Sequence, residues 1–149
     1  MKIRLMTIED YEKVYDLWIH TSGMGLNNLD DSREGIEKYL KRNPDTCFVA
    51  EENDKIVGVI LSGHDGRRGF IYHTTVHVEY RNRGIGRRLV DCAMKALEEQ
   101  GIHKVALVAF ARNEDGNAFC EKMGFTSRDD LTYRNKNIRS MERISPVSF

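Results

Sequence analysis

Proline is scarce in this sequence of 149 residues: there are two, and no low-complexity stretch accompanies them. That composition excludes Pro-rich linkers and the polar tracts of disordered chains. Cysteine is nearly as scarce. Cys47, Cys92 and Cys120 are odd in number, far apart and without a C-x-x-C pair, which fits reduced thiols and not a disulfide framework. No apolar run approaches the length of a membrane span. The stretch from Met1 to Thr7 lacks the apolar core of a signal peptide, so the expected location is cytoplasmic. A surplus of one charge is missing too, with 23 basic and 23 acidic residues. Nucleic-acid binders normally carry a basic excess, so the balance counts against that class.

What is present describes an ordinary globular protein: 40% hydrophobic and 31% charged residues, at the length of a single domain spanning residues 1–149. The charge is unevenly spread. Residues 1–54 carry seven Lys/Arg against twelve Asp/Glu, and residues 55–149 carry sixteen against eleven. A basic C-terminal part suits a polyanionic ligand and an acidic N-terminal part suits a cationic one; scattered surface charge reads equally well.

Periodicity and punctuation divide the chain into elements. Lys2 to Leu5 alternates as a strand does. Thr7, with Asp10 three residues on, reads as a helix start, and Val14, Leu17 and Trp18 recur at helical spacing to about His20. Residues 21–28 are loop. Asp31 or Ser32 caps a second helix with Ile36, Tyr39 and Leu40 as its stripe, closed by Asn43-Pro44. Strands are expected over Cys47 to Glu51, Ile56 to Ser62 and Phe70 to Val78. Asn53-Asp54 forms the first turn without the preferred glycine. A helix follows from about Gly84 to Gln100, stopped by Gly101. Val105 to Phe110 is a near-continuous apolar run, the pattern of a strand buried on both faces. Asn113 opens another helix that Gly124 ends, and Phe125 to Ile144 reads as two strands with a turn near Asn135. The order is β-α-α-β-β-β-α-β-α-β-β, an α/β domain with a mixed sheet.

The segment Arg81-Asn82-Arg83-Gly84-Ile85-Gly86 stands between a strand and a helix. Glycine lets backbone approach a ligand closely, and the first amides of a helix lack internal partners and lie at its positive end. With Arg81, Arg83, Arg87 and Arg88 around it, the turn reads as a pyrophosphate cradle. It is not a Walker A loop, since no Gly-Lys-Ser/Thr follows, and not a Rossmann fingerprint, since the third glycine is missing. The downstream Asp-Asn set of a protein kinase is also absent.

The pattern Val76-x-x-x-Tyr80-Arg81-x-x-Gly84-x-Gly86 resembles the acetyl-CoA motif of the GNAT superfamily of N-acetyltransferases. A second stretch, Asn113…Ala118-Phe119-Cys120-Glu121-Lys122-Met123-Gly124-Phe125, resembles that family's N-x-x-x-x-A-x-x-x-Y-x-x-x-G-F segment, with Cys where Tyr is usual. The resemblance implies a GNAT-like fold with a mixed, mostly antiparallel sheet of about six to seven strands, flanked by helices and splayed at its central strands. It implies acetyl-CoA as co-substrate in the gap between those strands. Thr74, Thr75 and Val76 would offer backbone groups to its pantetheine arm, and Asn82, Arg83, Gly84, Ile85, Gly86 and Arg87 would hold its pyrophosphate. Asn113 would lie near the pantetheine or simply cap its helix.

Transfer of an acetyl group to an amine requires an acceptor without its extra proton, a donor for the carbonyl oxygen and an acid for the leaving thiolate. The Val76 amide is the candidate donor. The resemblance places an acid at position 120, where this chain has Cys120, a candidate acid or a small buried filler. The ribosomal-protein alanine acetyltransferase branch carries a glutamate where Val108 stands, so neither of that branch's usual acid/base residues is present. Tyr72, His73, His77 and Tyr133 are the other acid/base candidates, with strand side chains of no chemical role as the alternative. Trp18, Met24, Asn27, Asn28, Asp30 and Asp31 are candidates for the acceptor site. The two aspartates suit an ammonium group, and Asp31 equally suits a helix cap. No metal site is expected, because His73 and His77 lie four apart on a strand. The expected partners are acetyl-CoA and an amine acceptor, with no nucleic acid and no membrane; a homodimer is left open. Three functions remain to be weighed: an N-acetyltransferase, a non-catalytic acetyl-CoA-binding or regulatory module, and a nucleotide or RNA binder using the arginines.

Overall fold

A computed structural model describes residues 1–146. Its elements are β1 (Lys2–Leu5), α1 (Tyr11–Ile19), β2 (Leu26–Asn27), α2 (Arg33–Arg42), β3 (Phe48–Glu52), β4 (Lys55–His64), β5 (Gly69–Val76), α3 (Ile85–Glu99), β6 (Val105–Leu107), α4 (Glu114–Lys122) and β7 (Arg143–Ile144). Short 3-10 turns at Ile8–Asp10 and Val78–Tyr80 precede α1 and α3. None of the described helices is long and apolar enough to cross a membrane.

Local chemistry explains most boundaries. The Asp10 carboxylate accepts the Thr7 N–H at 2.9 Å and so holds the entry to α1. Ser32, and not Asp31, caps α2: its Oγ accepts the Gly35 N–H at 3.0 Å. The turn between β3 and β4 has Asn53 at φ 51° and Asp54 at φ 63°. Two left-handed residues in a two-residue loop match the twist of the paired strands, so Asn-Asp does the work usually given to Asn-Gly.

Five strands form one sheet in the order β1-β3-β4-β5-β6. All neighbours are antiparallel except β5 and β6, which run parallel. Helices α1 and α2 cover one face, where Val14, Leu17, Trp18, Ile36 and Leu40 pack with Val49, Val59 and Leu61. Helix α3 covers the other, where Ile85, Leu89, Val90 and Ala93 pack with Ala50, Val57, Ile60 and Ile71. Each such Val, Leu or Ile side chain contributes about 1.5–3 kcal/mol on burial. Gly58 belongs to the α3 contact: a Cβ there would lie 3.0 Å from Leu89 Cδ1 and 3.2 Å from Ile85 Cγ2.

The strands differ from expectation in three places. Strands β2 and β7 pair with each other as a separate two-stranded sheet, so seven strands are divided five and two. The segment from Phe125 to Ile144 holds only β7; residues 126–142 are exposed and irregular. Its few apolar residues, such as Leu131 and Ile138, stand among charged and polar neighbours and offer no continuous face to bury. The run from Val105 to Phe110 is a strand only to Leu107, and Val108 and Phe110 are exposed. Among the described residues β6 pairs with β5 alone, so it is an edge. An apolar run by itself does not distinguish an edge from a strand covered on both faces.

Candidate active site

The site begins where β5 and β6 part. Their pairing covers Gly69 with Val105, Phe70 with Ala106 and Ile71 with Leu107, and then stops. Beyond it β5 continues past Tyr72 to Val76 paired with β4 only. The His77 N–H donates to the Val57 carbonyl at 2.8 Å, which makes 57/77 a hydrogen-bonded pair of the antiparallel ladder. The adjacent pair, Gly58 with Val76, is then of the other kind, with backbone groups turned away from β4. The Val76 N–H therefore faces the side from which β6 has withdrawn.

The β5 strand leads through the 3-10 turn to the start of α3. Asn82 at φ 64° and Gly84 at φ 79° turn the chain. The first helical hydrogen bond runs from the Arg88 N–H to the Gly84 carbonyl, 3.1 Å, leaving the Ile85, Gly86 and Arg87 amides without helical acceptors. The first turns of α1, α2 and α4 each contain an acid, but that of α3 contains none. Arg87 and Arg88 occupy it instead and stay exposed. Arg81 Nε donates to the Val76 carbonyl at 3.2 Å, pinning the turn to the strand end. Arg83 reaches the Glu79 carbonyl at 3.4 Å and lies 4.9 Å from the Tyr80 ring centre. Gly86 has a separate role: a Cβ there would meet the Phe119 ring at 3.2 Å. It is the contact that lets α4 approach α3. Free amides, helix dipole and guanidinium groups with no carboxylate partner among the described residues together fit a pyrophosphate.

On the opposite face of β5 lies a second cluster. Two β5 residues, His73 and Thr74, stand opposite the single Ile60 of β4, a bulge that re-aims side chains. His73 adopts φ 45°, a conformation that costs a non-glycine residue roughly 1–3 kcal/mol. Its Nε2 lies 2.7 Å from Asp31 Oδ1, with the side chains 15% and 4% exposed. The other carboxylate oxygen, Oδ2, accepts the Asn27 N–H at 2.8 Å. The Tyr11 hydroxyl donates to the Asp31 carbonyl at 2.6 Å. The Trp18 ring stands edge-on to the imidazole at 5.0 Å. Thr75 faces the same side, its hydroxyl near Met24 Sδ at 3.4 Å.

The remaining sequence candidates fall into three groups. Some are structural. Trp18 is wholly buried, so its contribution is a wall behind His73 and not a surface for an acceptor. Asn27 Oδ1 accepts the Leu29 and Asp30 amides at 3.0 and 2.7 Å, and Asn28 Oδ1 accepts the Glu142 amide at 2.6 Å; both side chains shape the loop. His77 accepts the Glu79 N–H at 3.1 Å and caps the 3-10 turn. Asn113 Oδ1 accepts the Gly116 N–H at 3.0 Å and caps α4, which is one of its two sequence readings. Others gather at the surface beside His73. Tyr72 is exposed, packs against Phe70 and Tyr39, and has its hydroxyl pushed up by burial and then by Tyr133 and Asp30. Cys120 stands apart, half-buried on α4, with burial pushing its thiol up. That keeps it protonated near neutrality and makes it a weaker proton donor than a free thiol. No group of three or more potential metal ligands occurs among the described residues.

The pairing of Asp31 with His73 across 42 residues was not legible in the sequence. Only the residue types point to it, and the sequence alone makes Asp31 an acceptor contact or a cap.

The chain is similar to known proteins over the segments that build this site. The family model described as acetyltransferase (GNAT) family matches residues 11–125. An acetyltransferase of Pectobacterium atrosepticum is 33% identical over 95% of this chain and 99% of its own length. One of Photorhabdus laumondii is 36% identical over 86% of this chain and 88% of its own. Among solved structures, the PaiA N-acetyltransferase of Thermoplasma acidophilum in complex with coenzyme A superposes with a TM-score of 0.75 at 21% identity, covering 86% of this chain and 91% of that one.

Proposed function

The chain belongs to the GNAT acetyltransferase family, and on that premise we propose that it moves an acetyl group from acetyl-CoA to a primary amine by direct attack in a ternary complex. The observation that carries this reading is the position of the uncapped, acid-free start of α3 beside the parting of β5 and β6. The Ile85, Gly86 and Arg87 amides, with Asn82, Arg81 and Arg83 around them, hold the pyrophosphate. Thr74 and Val76 line the pantetheine arm, whereas Thr75 is buried on the His73 side against Met24.

Acetyl-CoA supplies the thioester carbonyl carbon that the amine attacks. The Val76 N–H, turned into the gap, donates to the carbonyl oxygen as negative charge grows there. The acceptor enters from the face of β5 that carries His73, so amine and co-substrate meet from opposite sides of one strand. Asp30, Tyr72 and Tyr133 form the rim on that side, an acidic and aromatic surface suited to an ammonium group. A cytoplasmic location accords with the absence of any disulfide among the three cysteines.

The test is release of free CoA thiol from acetyl-CoA in the presence of a panel of small amines, amino acids and peptides. Turnover of at least one primary amine is the expected result. Acetyl-CoA binding without turnover on any member would favour a non-catalytic module instead, the reading that Cys120 at the usual tyrosine position supports.

A further inference from the structure

Resting on the transfer reading above, we propose that Asp31 is a positioning residue that fixes His73 in one tautomer, making His73 Nδ1 the base that deprotonates the acceptor. The Asp31 carboxylate has both oxygens committed. Oδ2 accepts a backbone N–H from Asn27 and Oδ1 faces His73 Nε2. A carboxylate only accepts, so Nε2 carries the proton and Nδ1 keeps its lone pair. Nδ1 has no hydrogen-bond partner among the described residues. The ring cannot swing freely, because Trp18 stands against it and the bulge fixes its backbone. The groups facing the imidazole are Asp31 from the β2–α2 loop, Trp18 from α1 and Tyr72 from β5. Tyr11 holds the Asp31 carbonyl, and Asp30 and Tyr133 act on Tyr72.

The left-handed φ of His73 supports a functional role. A histidine at positive φ persists at a bulge where glycine would sit without strain. The position is three residues before Val76 on the same strand, so the acceptor amine must lie between them, within hydrogen-bond reach of Nδ1 directly or through one water.

His73 Nδ1 takes a proton from the acceptor ammonium, leaving a neutral amine. The nitrogen lone pair forms the C–N bond to the acetyl carbon as the C–S bond breaks and the thiolate leaves. The proton still on nitrogen passes to the thiolate, and His73 returns its own to solvent.

Asp31→Asn separates this from a purely structural strut. The amide has one acceptor oxygen, and the Asn27 N–H claims it. Its NH2 group then faces Nε2, which must become the acceptor, and the ring proton moves to Nδ1. Nitrogen-15 NMR of the histidine side chains should show His73 protonated on Nε2 in the wild type and on Nδ1 in Asp31→Asn. Turnover should fall about 100-fold or more with the KM for acetyl-CoA unchanged. The deficit should shrink as the pH approaches the acceptor's own pKa, near ~10.4 for an alkylammonium, where the amine arrives neutral. His73→Asn, which tolerates the backbone conformation, should stay folded and lose the same activity. A wild-type proton on Nδ1, or turnover by Asp31→Asn within threefold of wild type, would overturn the assignment. No product from the wild type on any amine would sink the transfer reading itself, an outcome distinct from equal turnover by wild type and variant.

Discussion

Substituting Gly84 with alanine, glutamate and lysine separates the geometry of the cradle from its charge. Gly84 sits at φ 79° with nothing within 4 Å of where its Cβ would be. All three variants therefore share one backbone cost, about 1–2 kcal/mol for an L-residue in the left-handed region. For a domain of this size that lowers Tm by about 2–8 °C in each. What differs among them is charge beside the three free amides. A unit charge about 6 Å from each of the two pyrophosphate charges, in water-like surroundings, is worth about 0.7 kcal/mol per pair, or about 1.4 kcal/mol in all. That is about tenfold in Kd in each direction. Calorimetric titration with acetyl-CoA should give Gly84→Glu about tenfold weaker than Gly84→Ala, and Gly84→Lys about tenfold tighter than Gly84→Ala. The spread should contract in high salt, since these charges are exposed. Equal affinities for the glutamate and lysine variants, at matched stability, would refute a pyrophosphate at this helix start.

Three other outcomes follow from the structure. Asp54→Gly should raise stability by about 0.5–1 kcal/mol, because glycine fits the left-handed second turn position without the Cβ cost; thermal melts check this. Burial pushes the Cys47 thiol up to about 12, so Cys47 should resist alkylation in the native protein while denaturation exposes it; mass mapping of labelled cysteines reads the difference. Arg4 grips Asp10 through two hydrogen bonds of 2.8 and 2.9 Å. Burial opposes ionisation of Asp10, but that grip and the Thr7 amide outweigh it and hold its carboxyl below the usual range. A lowered folded pKa stabilises above the unfolded value, near ~3.9, and the contribution is lost as pH falls through the folded value. Asp10→Asn should therefore flatten the acid limb of stability against pH.

Elements with strong periodicity and explicit punctuation were legible in the sequence. Gly101 and Gly124 stop their helices at φ 81° and 93° as read, and the buried stripe of α1 is the expected Val14, Leu17 and Trp18. The glycine segment was legible because its chemistry is local: glycines, arginines and a helix start lie within a few residues. Bulges and long-range pairings were not. Nothing in Tyr72-His73-Thr74 announces that the chain gains a residue there, so the orientation of His73 could not be read. The partnership with Asp31 depends on that orientation and on where the β2–α2 loop returns. The Phe125 to Ile144 region departs from the two strands expected because a two-residue period in a charged segment has no buried face to enforce it.

The cradle and gap are tested most directly by amide chemical shifts of the wild-type protein during titration with acetyl-CoA. Perturbations centred on Val76 and on residues 82–87, saturating with one equivalent bound, are the expected result. No perturbation at millimolar acetyl-CoA, or shifts clustered away from β5 and the start of α3, would contradict it.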